Sequence, residues 1–158
     1  MKPRLNAYQA APAVMKAMMA LESQAAGIGL EPSLMELVKI RASQINGCAF
    51  CLHMHTRDAR AKGENEERIY VLDAWRESPF YSARERAALA WTEAVTLVSQ
   101  THVPDDVHEL ARAEFSEEEL VKLTLLVTTI NAWNRFAIAT RSVPESLKPA
   151  AEAAGAST

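Results

Sequence analysis

The chain has 158 residues, of which 49% are hydrophobic and 23% charged, with 17 basic against 20 acidic side chains and a formal net charge of -3. That is the profile of a soluble globular protein of one domain, spanning 1–158, long enough to bury an ordinary core without help from a metal or a structural disulfide. Lys and Arg are scattered, which removes the electrostatic footprint of a nucleic-acid binder, and MKPRLNAYQAAPAVM lacks the apolar run and cleavage site of a signal peptide, so the expected compartment is the cytoplasm.

Apolar residues recur at helical spacing nearly throughout and no stretch sustains a period of two, so the expected fold is all-α, a bundle of about seven helices. The first runs from Pro12 to Ala26, before Gly27, and the second from Pro32 to the stop at Gly47. A third spans Cys48 to Lys62 and a fourth Asn65 to Glu77, before the break at Pro79. Ser82 with Glu85 forms a capping box for a fifth helix ending near Gln100, PDDVHELARAEF reads as a short sixth, and Ser116 with Glu119 caps a long seventh. The seventh is the most apolar stretch, but Lys122, Asn131, Asn134 and Arg135 interrupt it, so it reads as a central core helix and not a membrane span. The tail from about 141 to 158 is small and polar, expected to fray or to lie at an oligomer interface.

Residues 45–55, INGCAFCLHMH, hold both cysteines and two of the four histidines. At about 100° per residue Cys48, Cys51 and His55 fall within roughly 60° of arc, whereas His53 falls on the far side. Two thiols and one imidazole are short of the four ligands that a structural zinc site requires. The preceding PSLMELVKIRASQIN is helical in pattern, which argues against a thioredoxin fold, where the Cys-x-x-Cys follows a strand. A reducing compartment disfavours a stable structural disulfide. What survives is dithiol chemistry on a helical scaffold, with thiolates favoured near a helix N-terminus and His55 as a base.

Glu36, eleven residues, then Cys48-x-x-Cys51-x-x-x-His55 resembles the active-site motif of the alkylhydroperoxidase D (AhpD-like) family, a branch of the carboxymuconolactone decarboxylase superfamily. FSEEELVKLTLLVTTINAWNRFAIA resembles the C-terminal helix of the same group, with the core motif at about 32–63. The resemblance implies an AhpD-like helical homo-oligomer, a trimer or hexamer, that reduces hydroperoxides without metal or organic cofactor. By the same resemblance Cys51 attacks the peroxide, Cys48 resolves the sulfenic acid as a disulfide, Glu36 and His55 relay the proton, and an external dithiol, lipoyl-bearing or thioredoxin-like, restores the pair. The chain departs from the pattern at Phe50, where the best-known members place a histidine, so a relay step through that position has no counterpart here. The decarboxylases lack the cysteine pair, which sets lactone decarboxylation lower.

Two effects compete over which thiol is the more acidic. The helix dipole favours Cys48 by about 0.3–1 kcal/mol, while an imidazolium one turn beyond Cys51 can depress a thiol pKa further, which points to Cys51. Glu36 also fits a capping box from Ser33, but Pro32 suits the first helical turn and would put Ser33 inside the helix. Trp75, Trp91 and Trp133 are expected to fill the core or an interface, His53, His102 and His108 to lie at the surface or in packing, and Asn134 and Arg135 to need polar partners, or to line the site. The rival functions are a thiol-redox stress sensor with little turnover and a metal-binding module.

Overall fold

A computed structural model describes residues 2–144, and all regular structure among them is helical. In chain order the helices are α1 (Ala7–Ala10), α2 (Pro12–Ala26), α3 (Pro32–Asn46), α4 (Ala49–Ala61), α5 (Glu66–Tyr70), a 3-10 turn (Leu72–Ala74), α6 (Ala83–Thr96), α7 (Val98–Thr101), α8 (Asp105–Glu114) and α9 (Glu117–Thr140). No helix among the described residues is long and apolar enough to cross a membrane. Of the expected tail, residues 145–158 lie outside the described ones.

The helix starts and stops follow local chemistry. Pro32 sits in the first turn of α3, and Gly47 ends it with φ 67°, a left-handed conformation that suits glycine. Ser82 and Ser116 each accept the backbone N–H of a glutamate three residues on, and that glutamate returns the bond, so both expected capping boxes form. Where the boundaries differ, local pattern yields to tertiary demand. The helix expected over 65–77 stops at Tyr70 and tightens, which puts Leu72 and Trp75 into the core. The helix expected to reach Gln100 breaks at Leu97 into α6 and α7. The four residues of α1, capped by Asn6, carry too little periodicity to be read from sequence.

Helix α9 is a core helix, as the sequence leads one to expect, packed against α2, α3, α4, α6 and α8, and α3 is more enclosed still. Every residue from Leu34 to Ile40 is buried, charged ones included, whereas α9 leaves Val121 and Ile138 exposed. Helix α3 packs against α4, α6 and α9, with α2 and α8 on the outside. Its faces divide the interior. Leu34 and Val38 join Trp91, Phe115, Leu123 and Leu126 in one apolar cluster. Leu37 and Ile40 join Leu72, Trp75 and Leu89 in a second. Its C-terminal turn, with Ala42, meets Cys48, Cys51 and Ile130 in a third and smaller one.

Candidate active site

The sharp turn at Gly47 reverses the chain so that α4 begins beside the end of α3. Cys48 is the N-cap of α4 and not its first helical residue, its backbone N–H donates to Ser43 O at 3.0 Å, and its sulfur accepts the Cys51 backbone N–H at 3.4 Å. The two thiols are free and their sulfurs lie 2.8 Å apart. One turn further along, His55 is buried with Nδ1 3.1 Å from Glu36 Oε2. The other carboxylate oxygen, Oε1, accepts from Lys62 Nζ at 2.6 Å. Glu36, 3% exposed, lies well inside α3, so the capping reading does not hold and Ser33 is a helical residue.

These groups meet at a cavity of about 720 Å³. Cys51, Glu36 and His55 line it, and Cys48 lies behind the wall. Met15, Met19, Phe50, Met54, Trp133 and Phe136 make its apolar surface, and Glu36, Lys39, His55 and Asp58 on α3 and α4, with Lys62 beyond and Glu22 on α2, make its ionisable one. The N-terminal segment from Pro3 to Tyr8 forms part of the wall, held to the end of α9 by the Arg4 backbone N–H on Thr140 O at 2.9 Å and the Arg4 guanidinium on Ala139 O at 3.1 Å. Trp75 and Trp91 are core residues as expected; Trp133 packs partly buried against the cysteine cluster and also lines the cavity, its indole N–H donating to Glu22 Oε2 at 2.9 Å.

Burial pushes the Glu36 carboxyl up, but hydrogen bonds from His55 and Lys62, with the charges of His55 and Lys39, outweigh it and hold the carboxyl at about 2. Glu36 is therefore a permanent anion near neutral pH. The Nδ1 atom of His55 carries the proton it donates to that anion, which leaves Nε2 as the atom free for proton traffic. Between the thiols, the hydrogen bond from Cys51 holds Cys48 down to about 7 against the cost of burial, helped by the Cys51 and Phe50 backbone N–H groups and by Asn134. Cys51 moves the other way, because it gives its proton to Cys48 and because burial disfavours its charge. The expectation that His55 makes Cys51 the more acidic thiol is corrected here. Cys48, as the N-cap, has the helix amides and the neighbouring S–H.

Sequence reasoning brought together Glu36, Cys48, Cys51 and His55, and the structure does place them together. It passed over Lys62, although Cys51, His55, Asp58 and Lys62 recur at helical spacing and all line the cavity. It also passed over Lys39, buried on α3 and paired with Glu22 at 3.4 Å. His53 does not line the cavity, and among the described residues no group of three or more His, Cys, Asp or Glu side chains is arranged to hold a metal ion.

Comparison with known proteins adds a lineage to this geometry. The model of the carboxymuconolactone decarboxylase family matches residues 12–94. The uncharacterized protein YdfG of Bacillus subtilis is 47% identical over 139 residues, 88% of this chain and 95% of that one. The crystal structure of a protein of unknown function from Agrobacterium tumefaciens, provisionally described as the antioxidant defence protein AhpD, is 48% identical with a TM-score of 0.88 over 90% of this chain and 97% of that one. The debrominase Bmp8 shares the fold at 21% identity, TM-score 0.74, over 85% of this chain and 73% of that one.

Proposed function

The chain belongs to the carboxymuconolactone decarboxylase family, in its AhpD-like branch, and from that premise and the cavity geometry we propose that it is a thiol-dependent peroxidase acting through Cys48 and Cys51. The observation that carries this reading is a dithiol in contact at 2.8 Å, one sulfur of which lines a cavity together with a carboxylate-held histidine. Fold alone would not choose the chemistry, since a debrominase shares it.

The pair shares a proton, and the sulfur that lines the cavity is Cys51. In the reacting state Cys51 has lost its proton to His55, and Cys48 carries its own. The Cys51 thiolate attacks the outer oxygen of a hydroperoxide, the O–O bond breaks, and the departing alkoxide takes the proton from His55 and leaves as the alcohol. Cys51 is now a sulfenic acid. Cys48 gives its proton to His55 and attacks the Cys51 sulfur, the S–O bond breaks, and the hydroxide takes that proton and leaves as water. Two thiols and one hydroperoxide have become a disulfide, an alcohol and water. An external dithiol then reduces the disulfide by exchange. Glu36 keeps the imidazole oriented by accepting from its Nδ1, without itself carrying the proton.

The apolar wall suits the organic part of a hydroperoxide, and the ionisable wall, with Cys51, suits its O–O end. The homo-oligomer, trimer or hexamer, is part of the same proposal, checked by light scattering at micromolar concentration. The test of function is steady-state turnover of an organic hydroperoxide with a dithiol reductant, alongside mass spectrometry of free thiols before and after one equivalent of peroxide. Sustained turnover with reversible loss of two thiols supports the peroxidase. One oxidation without turnover would make the protein a redox sensor.

A further inference from the structure

A polar rail crosses the otherwise apolar contact between α3 and α9, beside the cysteine cluster. Asn134 is fully buried on α9, on the same face as Ile130 and Ala137, which pack against the cysteines. Its Oδ1 accepts from Asn46 Nδ2 at 2.8 Å. Its Nδ2 donates to Ser43 Oγ at 3.1 Å, and Ser43 can accept because its own proton goes to Lys39 O at 2.7 Å. Asn46 also donates to Asn131 Oδ1 at 2.9 Å, and Asn131 in turn donates to Thr96 Oγ1 at 2.9 Å and Val127 O at 2.9 Å. With its oxygen committed to Asn46, the Asn134 amide can present only N–H groups toward Ser43 and the cysteines.

We propose that Asn134 is a positioning residue for the dithiol: held by Asn46 and Ser43, its side-chain N–H donates to the Cys48/Cys51 sulfur pair and stabilises the thiolate-bearing dithiol over the disulfide. A thiolate is a strong hydrogen-bond acceptor and a disulfide sulfur a weak one, so a donor fixed at this point acts on one redox state more than the other. The ionisable groups that line the cavity come from the other helices: Glu36 and Lys39 on α3, His55 and Asp58 on α4 with Lys62 just past its end, and Glu22 on α2. Helix α9 brings Arg135 only to the Asn131 end of the rail, at 2.9 Å from Asn131 Oδ1, so Asn134 is its polar residue on the face that packs against the cysteines. Consistently, Asn134 is among the hydrogen bonds that favour the thiolate at both cysteines.

The inference rests on the dithiol reading of the site but not on peroxide turnover, so the test avoids peroxide. In the reduced protein, titration of thiolate absorbance at 240 nm should show Asn134→Ala binding its first thiol proton about tenfold more tightly than the parent, the effect of losing one charge-assisted hydrogen bond. Near pH 9, where the thiolate dominates in both proteins, the disulfide of the variant should be harder to reduce with dithiothreitol by a similar factor, close to 30 mV. Asn131→Ala, which cuts the same rail away from the sulfurs, should lower the melting temperature yet leave the thiol titration near that of the parent. In the unsubstituted protein, the Asn134 side-chain amide protons should move downfield in NMR spectra as the thiolate forms and return on oxidation, a readout that survives if Asn134→Ala fails to fold. Equal thiol titrations in parent and Asn134→Ala, equal shifts in both variants, or amide protons blind to the redox state would each overturn the proposal. A protein that passes these tests but turns over no hydroperoxide would overturn only the peroxidase reading.

Discussion

The two ends of α3 are built on opposite rules. At its N-terminal end Leu34, Met35 and Val38 meet α6, α8 and α9 in a cluster of apolar side chains, and the charges there stay outside, as in the Arg84 guanidinium that reaches Glu31 at 2.8 Å and Glu119 at 2.7 Å. Toward its C-terminal end, and on the side of α3 that carries Glu36 nearer its start, the apolar cluster shrinks to Ala42, Cys48, Cys51 and Ile130, and the polar groups are inside: Ser43, Asn134, Glu36 and His55 are all buried. Burying ionisable groups costs stability unless each finds partners. Among the described residues no buried side-chain nitrogen or oxygen is left without one. The first end supplies the stability that lets the second hold a reactive site.

That contrast is broken most severely at the thiols. Cys51→Ser should abolish peroxide consumption altogether, while Cys48→Ser should react once and leave a sulfenic acid on Cys51 that a dimedone-type probe labels. Cys48 has the lower pKa, about 7, and Cys51 lines the cavity, so acidity and access point to different atoms. Labelling of Cys48 in Cys51→Ser, with Cys48→Ser inert, would mean that acidity decides. Next comes His55→Ala, expected to slow turnover roughly a hundredfold or more, the usual scale for a lost general acid-base group. His53→Ala should change little, because His53 does not line the cavity. Equal losses would remove the role given to the Cys51–His55 face of α4.

The two ends also differ in how far the sequence announces them. The apolar end follows from the helical period of α3, α6 and α9, and the capping boxes at Ser82 and Ser116 mark where two of these helices begin. At the polar end, the Cys48–Cys51–His55 stripe and its partner Glu36 are legible because three of the four lie within one helical segment and the spacing matches a known motif. Lys62 was equally available on that stripe and was passed over because a lysine near a helix end reads as solvated. The Asn46–Asn134 contact is of another kind. Its residues lie 88 apart, and local periodicity carries no information on which polar group of α3 meets which polar group of α9. The enclosure of α3 was hidden for a related reason, since Glu36, Lys39 and Arg41 give it the look of a surface helix.

A core substitution tests whether the two ends are separable. Leu126 is fully buried in the apolar cluster, so Leu126→Ala should cost about 2–5 kcal/mol, from lost burial and the cavity left behind. Denaturant unfolding measures that loss. At a temperature where the variant is still folded, its thiol titration and its turnover per molecule should match the parent. A shifted thiol titration in Leu126→Ala would show that packing at the first end sets the electrostatics of the second, and the division drawn here would fail.

The smallest effect belongs to Lys62, and it tests how the polar end holds the Glu36 anion. Glu36 is held at about 2, below the value of about 4.3 for a glutamate in an unfolded chain. A group whose folded pKa is depressed contributes stability that is present above the unfolded value and lost as pH falls toward the folded one. The parent should therefore lose stability between about pH 4.5 and pH 2 on this account. Glu36→Gln, which cannot ionise, should lose less across that window, while also lowering the rate of peroxide reduction. Lys62 is half exposed, so solvent screens its share of the effect to about 1 kcal/mol or less. Lys62→Met should then be slightly less stable than the parent near pH 7 and converge with it as the carboxyl of both proteins is protonated near pH 2. Melting temperatures across that range decide the matter. A difference that persists unchanged to pH 2 would mean that the lysine acts through its packing, and one as large as that of Glu36→Gln would mean that Lys62, not the buried His55, keeps Glu36 ionised.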